Sequence, residues 1–190
     1  MNRTVIFIDG ENFFYKIKKI VESSKIKHKK DISKISIDSI LKEVLDKYNV
    51  DSKKYYVAKL HIHPKTKEKS QKLINIQRSL FNNLKKENYD VVIFGNVRGQ
   101  DVNGKIIFKE KGVDVKIAVD LVSYAYNKKV KTAILCSSDS DLQPAVYELK
   151  KLKVKTVYIG FQSEPNKGLI YTTDTNILIS DETILQAIKL

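Results

Sequence analysis

The sequence predicts a three-layer α/β/α domain with a mostly parallel central sheet. Strand-like apolar runs alternate with helix-like segments along the chain, an order typical of βαβ units. The run from Thr4 to Ile8 is almost wholly apolar, as expected of a parallel strand buried on both faces. We find no internal repeat and no low-complexity tract, and the 190 residues suit one domain.

The first half of the chain predicts three helices and two strands, separated by polar segments. In order, these are a strand over 4–8 ending in the turn signal Asp9-Gly10, a helix with Phe13, Phe14, Ile17 and Ile20 at helical spacing, a lysine-rich loop over 25–34, an amphipathic helix over 37–48, a strand over 54–62, a polar segment over 64–70, and a helix with Leu73, Ile76, Leu80 and Leu84 on one face.

The second half continues the alternation after one hairpin. Its predicted elements are a strand over 90–95, a hairpin with its turn at Asn103-Gly104, a helix over 113–126, a strand over 132–136, a helix over 141–152 and a strand over 155–159. The last thirty residues are less regular. We expect a short strand from 169–171 or 176–178 and a closing helix over 182–188.

Composition indicates the class of partner and compartment. The net charge of +13 favours an anionic partner such as nucleic acid, although lysine excess also follows genome composition. No apolar run approaches the roughly 20 residues that span a bilayer, and no secretory signal follows Met1, so we expect a cytoplasmic protein without membrane contact. The single cysteine, Cys136, excludes an intramolecular disulfide and a cysteine zinc site, and we interpret it as a core residue.

Acidic residues follow two of the predicted strands. Asp9 ends the first strand, and Asp139 and Asp141 come shortly after the strand that ends at Cys136. Ligands of parallel α/β sheets bind beyond the carboxyl ends of the strands. If these two strands are neighbours, the three carboxylates converge on one region.

Helix geometry adds a fourth candidate. At about 100° per residue, Ala118, Leu121 and Ala125 fall within roughly 40° of Asp114, which predicts that Asp114 faces inward. Asp120 lies about 120° from that stripe and is a weaker candidate.

Clustered carboxylates repel each other, and a hard divalent cation such as Mg²⁺ or Mn²⁺ relieves the repulsion. Each acid also has a structural alternative, since Asp9, Asp139 and Asp141 suit helix caps and Asp114 suits a helix N-terminus. The polar neighbours that can support a ligand or a carboxylate are Asn12, Ser137 and Ser138, and the pair His61 and His63 is placed to line the same cleft.

Three segments, VIFIDGEN from Val5, KGVDVKIAVDLV from Lys111 and LCSSDSDLQPAVYELKKL from Leu135, together resemble the NYN domain, in particular its bacterial LabA-like branch. The resemblance covers about residues 3 to 160. The residues that match the family pattern are Asp9, Asn12, Lys111, Gly112, Asp114, Asp120, Ser137, Asp139 and Asp141. Two positions depart from it: Ser138 replaces the usual glycine and Leu142 the usual aromatic residue.

NYN domains belong to the PIN-like nuclease superfamily, so the resemblance implies a Rossmann-like (PIN-like) domain over 1–165, with 166–190 as an extension packed on it. It also implies an Mg²⁺- or Mn²⁺-dependent ribonuclease acting on single-stranded or structured RNA. A homodimer is left open. The implied metal ligands are Asp9, Asp114, Asp139 and Asp141, the supporting residues are Asn12, Asp120, Ser137 and Ser138, and the phosphate contacts are Lys111 and Lys116.

Two other functions remain as alternatives. The first is an RNA-binding or regulatory protein on a nuclease-like fold, which the charge and Ser138 both allow. The second is a phosphatase, which is disfavoured because position 11 is Glu11 and no Asp-x-Asp pair follows the first strand.

Overall fold

The computed structural model describes residues 3–24, 34–102 and 105–189. The described residues form one sheet of seven strands in the order β4-β3-β2-β1-β5-β6-β7, parallel except for the antiparallel pair β3 and β4. The strands are β1 Thr4–Asp9, β2 Ser52–Lys59, β3 Tyr89–Val102, β4 Lys105–Lys111, β5 Thr132–Cys136, β6 Lys155–Phe161 and β7 Thr175–Ile179. The predicted α/β class is therefore confirmed.

Helices cover both faces of the sheet. They are α1 Gly10–Ser23, α2 Ile37–Ile40, α3 Lys42–Tyr48, α4 Lys67–Lys86, α5 Val113–Tyr126, α6 Gln143–Lys151, α7 Lys167–Thr172 and α8 Asp181–Lys189. One core lies between the sheet and α1, α2, α3, α4 and α8, and includes Ile6 and Ile8. The other lies between the sheet and α5, α6 and α7, and includes Val5 and Phe7. Alternate residues of β1 thus enter opposite cores, which explains its almost continuous apolar sequence.

Several predicted boundaries were wrong. The helix expected over 37–48 is divided at Leu41, whose backbone leaves helical geometry and whose side chain is fully buried. Residues 169–171 belong to α7 because the Asn166 side chain accepts a hydrogen bond from the Leu169 amide and begins a helix there. The strand expected over 54–62 ends at Lys59. The alternative strand over 176–178 is confirmed as part of β7.

Two predicted features involve residues outside the described part of the chain. They are the turn at Asn103-Gly104 and most of the lysine-rich loop over 25–34. Cys136 is buried as predicted. Among the described helices, none has the length and apolar character needed to cross a membrane.

The position of β1 determines which loops meet. It lies between β2 and β5 and is parallel to both, with Ile8 paired to Cys136 and Asp9 paired to Tyr56. The carboxyl ends of β1 and β5 therefore reach the same edge of the sheet, as the strand-end argument required. The turn into α1 and the loop after β5 are neighbours at this edge.

Gly10 is sterically required where β1 passes into α1. A Cβ atom there would overlap the Tyr55 ring and the Tyr56 carbonyl oxygen. The Tyr55 side chain is fully buried and its hydroxyl donates to the Gly10 carbonyl oxygen at 3.0 Å, so it has little room to move.

We expect Gly10→Ala to lower the free energy of unfolding by about 1–3 kcal/mol, the usual cost of overpacking a core. Gly168→Ala is the matched control, because the atoms nearest to its Cβ would be the far end of the flexible Gln143 side chain. Alanine also favours the helix that contains Gly168. Chemical denaturation measures both variants, and equal stability of the two would contradict the steric argument.

Candidate active site at the carboxyl ends of β1 and β5

Asp9 is the last residue of β1 and is 8% exposed. One carboxylate oxygen, Oδ1, accepts a hydrogen bond from the Asn12 amide at 3.1 Å, so Asp9 does cap α1. The other oxygen, Oδ2, accepts from the buried Ser137 hydroxyl at 3.0 Å. Asp9 therefore caps α1 with one oxygen and bonds to the residue after β5 with the other.

Ser137 joins the two strand ends. Its hydroxyl oxygen accepts a hydrogen bond from the Asp139 amide at 3.1 Å while donating to Asp9. Asp139 caps the short 3-10 turn Ser140–Leu142, with Oδ1 accepting from the Asp141 amide at 2.9 Å. Asp141 itself is exposed. The loop thus brings Asp139 to Asp9 and leaves Asp141 at the surface.

Ser138 fits its position without backbone strain, although the family pattern has glycine there. Its φ lies outside the left-handed region, so the conformational freedom of glycine is not needed. Its amide and hydroxyl both donate to Asn12 Oδ1, at 3.2 and 2.8 Å. Asn166 donates from Nδ2 to the Ser138 carbonyl oxygen at 2.9 Å. Ser138 thus links the loop after β5 to α1 by hydrogen bonds.

Sequence reasoning missed Glu110, and it considered Glu11 only against a phosphatase. Glu110 lies on β4, and its carboxylate accepts a hydrogen bond at 2.8 Å from the amide of Val113, the first residue of α5. The N-cap position of α5 is Gly112. The Glu110 carboxylate is favoured beside the helix N-terminus by the helix dipole. Its approach to the other acids depends on the β3–β4 pairing, which carries the chain back to this edge.

The acids at this edge interact electrostatically. Burial, reinforced by the charges of Glu110 and Asp139, raises the pKa of Asp9 to about 6 against the opposing hydrogen bonds from Asn12 and Ser137. Desolvation raises the pKa of Glu110, and the charges of Asp114 and Asp139 add to that increase.

Desolvation also raises the pKa of Glu11 to about 7, with contributions from Glu110 and Asp9. The residue keeps an exposed surface, so solvent screens this group more than Asp9. We call the five residues Asp9, Glu11, Glu110, Asp114 and Asp139 the acid cluster.

The inward direction predicted for Asp114 is only approximately correct. The buried stripe runs through Val113, Ile117, Leu121 and Ala125, and Asp114 is half-buried beside it. Asp120 is instead directed towards β2, where Oδ2 accepts from the Tyr56 hydroxyl at 2.9 Å and Oδ1 from Lys116 Nζ at 2.6 Å. Lys116 is therefore ion-paired, while Lys111 is exposed where β4 meets α5.

The two histidines have separate surroundings. His61 Nε2 lies 3.2 Å from Asn96 Oδ1, and the His63 ring packs edge-on against Phe108. Among the described residues, no three His, Cys, Asp or Glu side chains are arranged so that they could hold one metal ion together. The described ion pairs nearest in sequence to the acid cluster, Lys116 with Asp120 and Lys16 with Glu164, do not include its residues.

The chain is an α/β protein whose acid cluster lies beyond the carboxyl ends of its central strands. This is where open parallel sheets bind their ligands. The model of the NYN domain matches residues 3–181, and the chain belongs to this family, a PIN-like nuclease family. The match extends past the motifs into β6, α7 and β7.

A solved structure shares the fold. The crystal structure of a protein of unknown function from Vibrio parahaemolyticus has a TM-score of 0.65 and 20% sequence identity, over 95% of this chain and 94% of that chain. No curated protein matches the sequence.

The raised pKa of Asp9 makes stability depend on pH. Below about pH 3 the carboxyl is protonated in both states, so folding carries no ionisation cost. As pH rises from 3.8 to about 6, the unfolded chain releases a proton that the folded protein retains, and stability falls. Above that range the full cost of the buried charge, on the order of 3 kcal/mol, opposes folding.

We expect Asp9→Asn to be more stable than the wild type by about 1–3 kcal/mol near pH 7.5, and this ionisation term to vanish near pH 3. Urea denaturation across this pH range measures it. Asp46→Asn, which removes an exposed carboxylate on α3, is the control and should change stability little at either pH. A wild type whose stability relative to Asp9→Asn stays constant or increases as pH rises from 3 to 7.5 would contradict the assignment.

Proposed function

We propose that this chain is a metal-dependent ribonuclease of the LabA-like branch, acting on RNA phosphodiesters at the acid cluster. The observation that supports it is the buried Asp9 carboxylate at the end of β1, joined through Ser137 to Asp139 and approached by other acids. Residues 1–165 would form the NYN domain, with 166–190 as an extension whose β7 pairs with β6 and whose α8 packs against α1.

The donor set suits Mg²⁺ or Mn²⁺. Both are hard cations that prefer carboxylate oxygens, and Mg²⁺ is commonly held by one or two carboxylates, several waters and substrate phosphate oxygens. Such a site does not need three converging protein ligands. Asp9 and Asp139 would hold the ion, with Asp114 and Asp141 as further ligands or water contacts. The metal would supply a water of lowered pKa and charge stabilisation for the leaving oxygen.

The chain's own residues would position the substrate and protons. Asn12 and Ser138 fix the loop after β5, and Asp120 orients Lys116. Lys111 and Lys116 would contact phosphate oxygens at the start of α5. Glu11, with a pKa of about 7 and an exposed surface, is suited to take up or release a proton near neutral pH.

RNA cleavage in Mn²⁺ tests the proposal directly. The wild type should cleave a single-stranded RNA, EDTA should abolish cleavage, and Asp139→Asn should lower the rate by roughly 100-fold or more, the loss seen when one group that stabilises a transition state is removed. Gel electrophoresis of labelled RNA measures the rates.

Asp46→Asn is again the matched control. Its helix, α3, leads into the amino end of β2, and the acid cluster lies at the carboxyl ends of the strands. It should cleave as the wild type does. Cleavage that survives Asp139→Asn or EDTA would count decisively against a metal centre at the acid cluster.

A second candidate function is RNA binding without catalysis. It is favoured by the net charge of +13, which attracts a polyanion whether or not the acid cluster is catalytic. This function predicts RNA affinity that falls steeply between roughly 50 and 200 mM salt, with no cleavage products under any metal condition. Fluorescence anisotropy over that salt range, combined with the gel assay, separates the two functions.

A further inference from the structure

An apolar groove opens beside the acid cluster. It has a volume of about 210 Å³ and lies between α1, α4, β2 and the β3–β4 pair. Its apolar walls include Phe14, Leu60, Leu73, Ile76 and Phe108. Pockets for drug-sized ligands span about 300–1,000 Å³, so this smaller groove suits a single planar ring system.

One acid belongs to both the groove and the acid cluster. Glu11 lines the groove and is close enough to Asp9 and Glu110 for their charges to raise its pKa. Gly10, the residue after Asp9, also lines the groove. A ligand in the groove would therefore have its neighbouring atoms at the proposed reaction centre.

A lysine lies beside the groove. Lys69 Nζ is 5.4 Å from the centroid of the Phe108 ring, which lines the groove. The whole chain carries a net charge of +13. An aromatic ring beside lysines is the combination that single-stranded nucleic acids use, with bases against apolar or aromatic faces and phosphates near cations.

We propose that the groove binds one unpaired nucleobase of a single-stranded RNA whose neighbouring phosphate lies at the acid cluster. This inference rests on the proposed function. Gln77 lines the groove, and its Nε2 donates a hydrogen bond to the Ala58 carbonyl oxygen at 3.0 Å. This bond fixes the side-chain amide, which could then bond to the edge of the base. A base in a duplex is stacked and paired, so the groove selects single strands.

Binding without catalysis tests the groove separately from the nuclease. Anisotropy of a labelled single-stranded RNA in EDTA compares the wild type with Ile76→Gln, which alters a groove residue that is already 41% exposed and should fold normally. Val119→Gln is the control, since Val119 is 56% exposed on α5, on the other face of the sheet. A ribose-phosphate backbone without bases is the second ligand.

We expect Ile76→Gln to weaken binding of the RNA roughly tenfold and to leave binding of the base-free backbone unchanged, with Val119→Gln like the wild type. Equal affinities of Ile76→Gln and wild type for the RNA, or an equal loss on the base-free backbone, would overturn the inference. Base-dependent binding sensitive to Ile76→Gln, from a protein that never cleaves RNA, would support the groove and refute only the ribonuclease.

Discussion

Desolvation of the Asp9 carboxylate is the constraint around which the site is organised. β1 is buried by helices on both faces, so the side chain that ends it has little contact with water. Hydrogen bonds from the Asn12 amide and the Ser137 hydroxyl offset part of the cost, yet the pKa stays near 6. The folded protein therefore retains an unneutralised charge that a bound cation would relieve.

The surrounding loops are held by hydrogen bonds between distant parts of the chain. Ser137 links Asp9 to the loop after β5, and Ser138 links that loop to Asn12 on α1 and to Asn166 before α7. Three segments far apart in sequence are thus fixed relative to one another before any ligand binds. In the proposed ribonuclease, such preorganisation would lower the reorganisation needed when charge develops at the phosphate.

The parts predicted from sequence are those set by local pattern. The boundaries of β5 and α5 follow from periodicity, and the meeting of Asp9 with Asp139 follows from the parallel strand order. Glu110 could not be placed, because its position depends on the register of an antiparallel pair. The direction of Asp120 also escaped prediction, because a tertiary partner, the Tyr56 hydroxyl on β2, determines it.

The chain as a whole is strongly basic, whereas the candidate site is acidic. Exposed charges are screened beyond about 8–10 Å at ordinary ionic strength, so each surface lysine acts mainly on charges close to it. A phosphate that enters the cluster is repelled unless a cation lies there or the carboxylates take up protons. In the proposed function, the groove beside Glu11 would add a third contribution, since burial of a base does not depend on charge. Attraction by lysines, a bound cation and burial of a base would then act together at the carboxyl ends of β1 and β5.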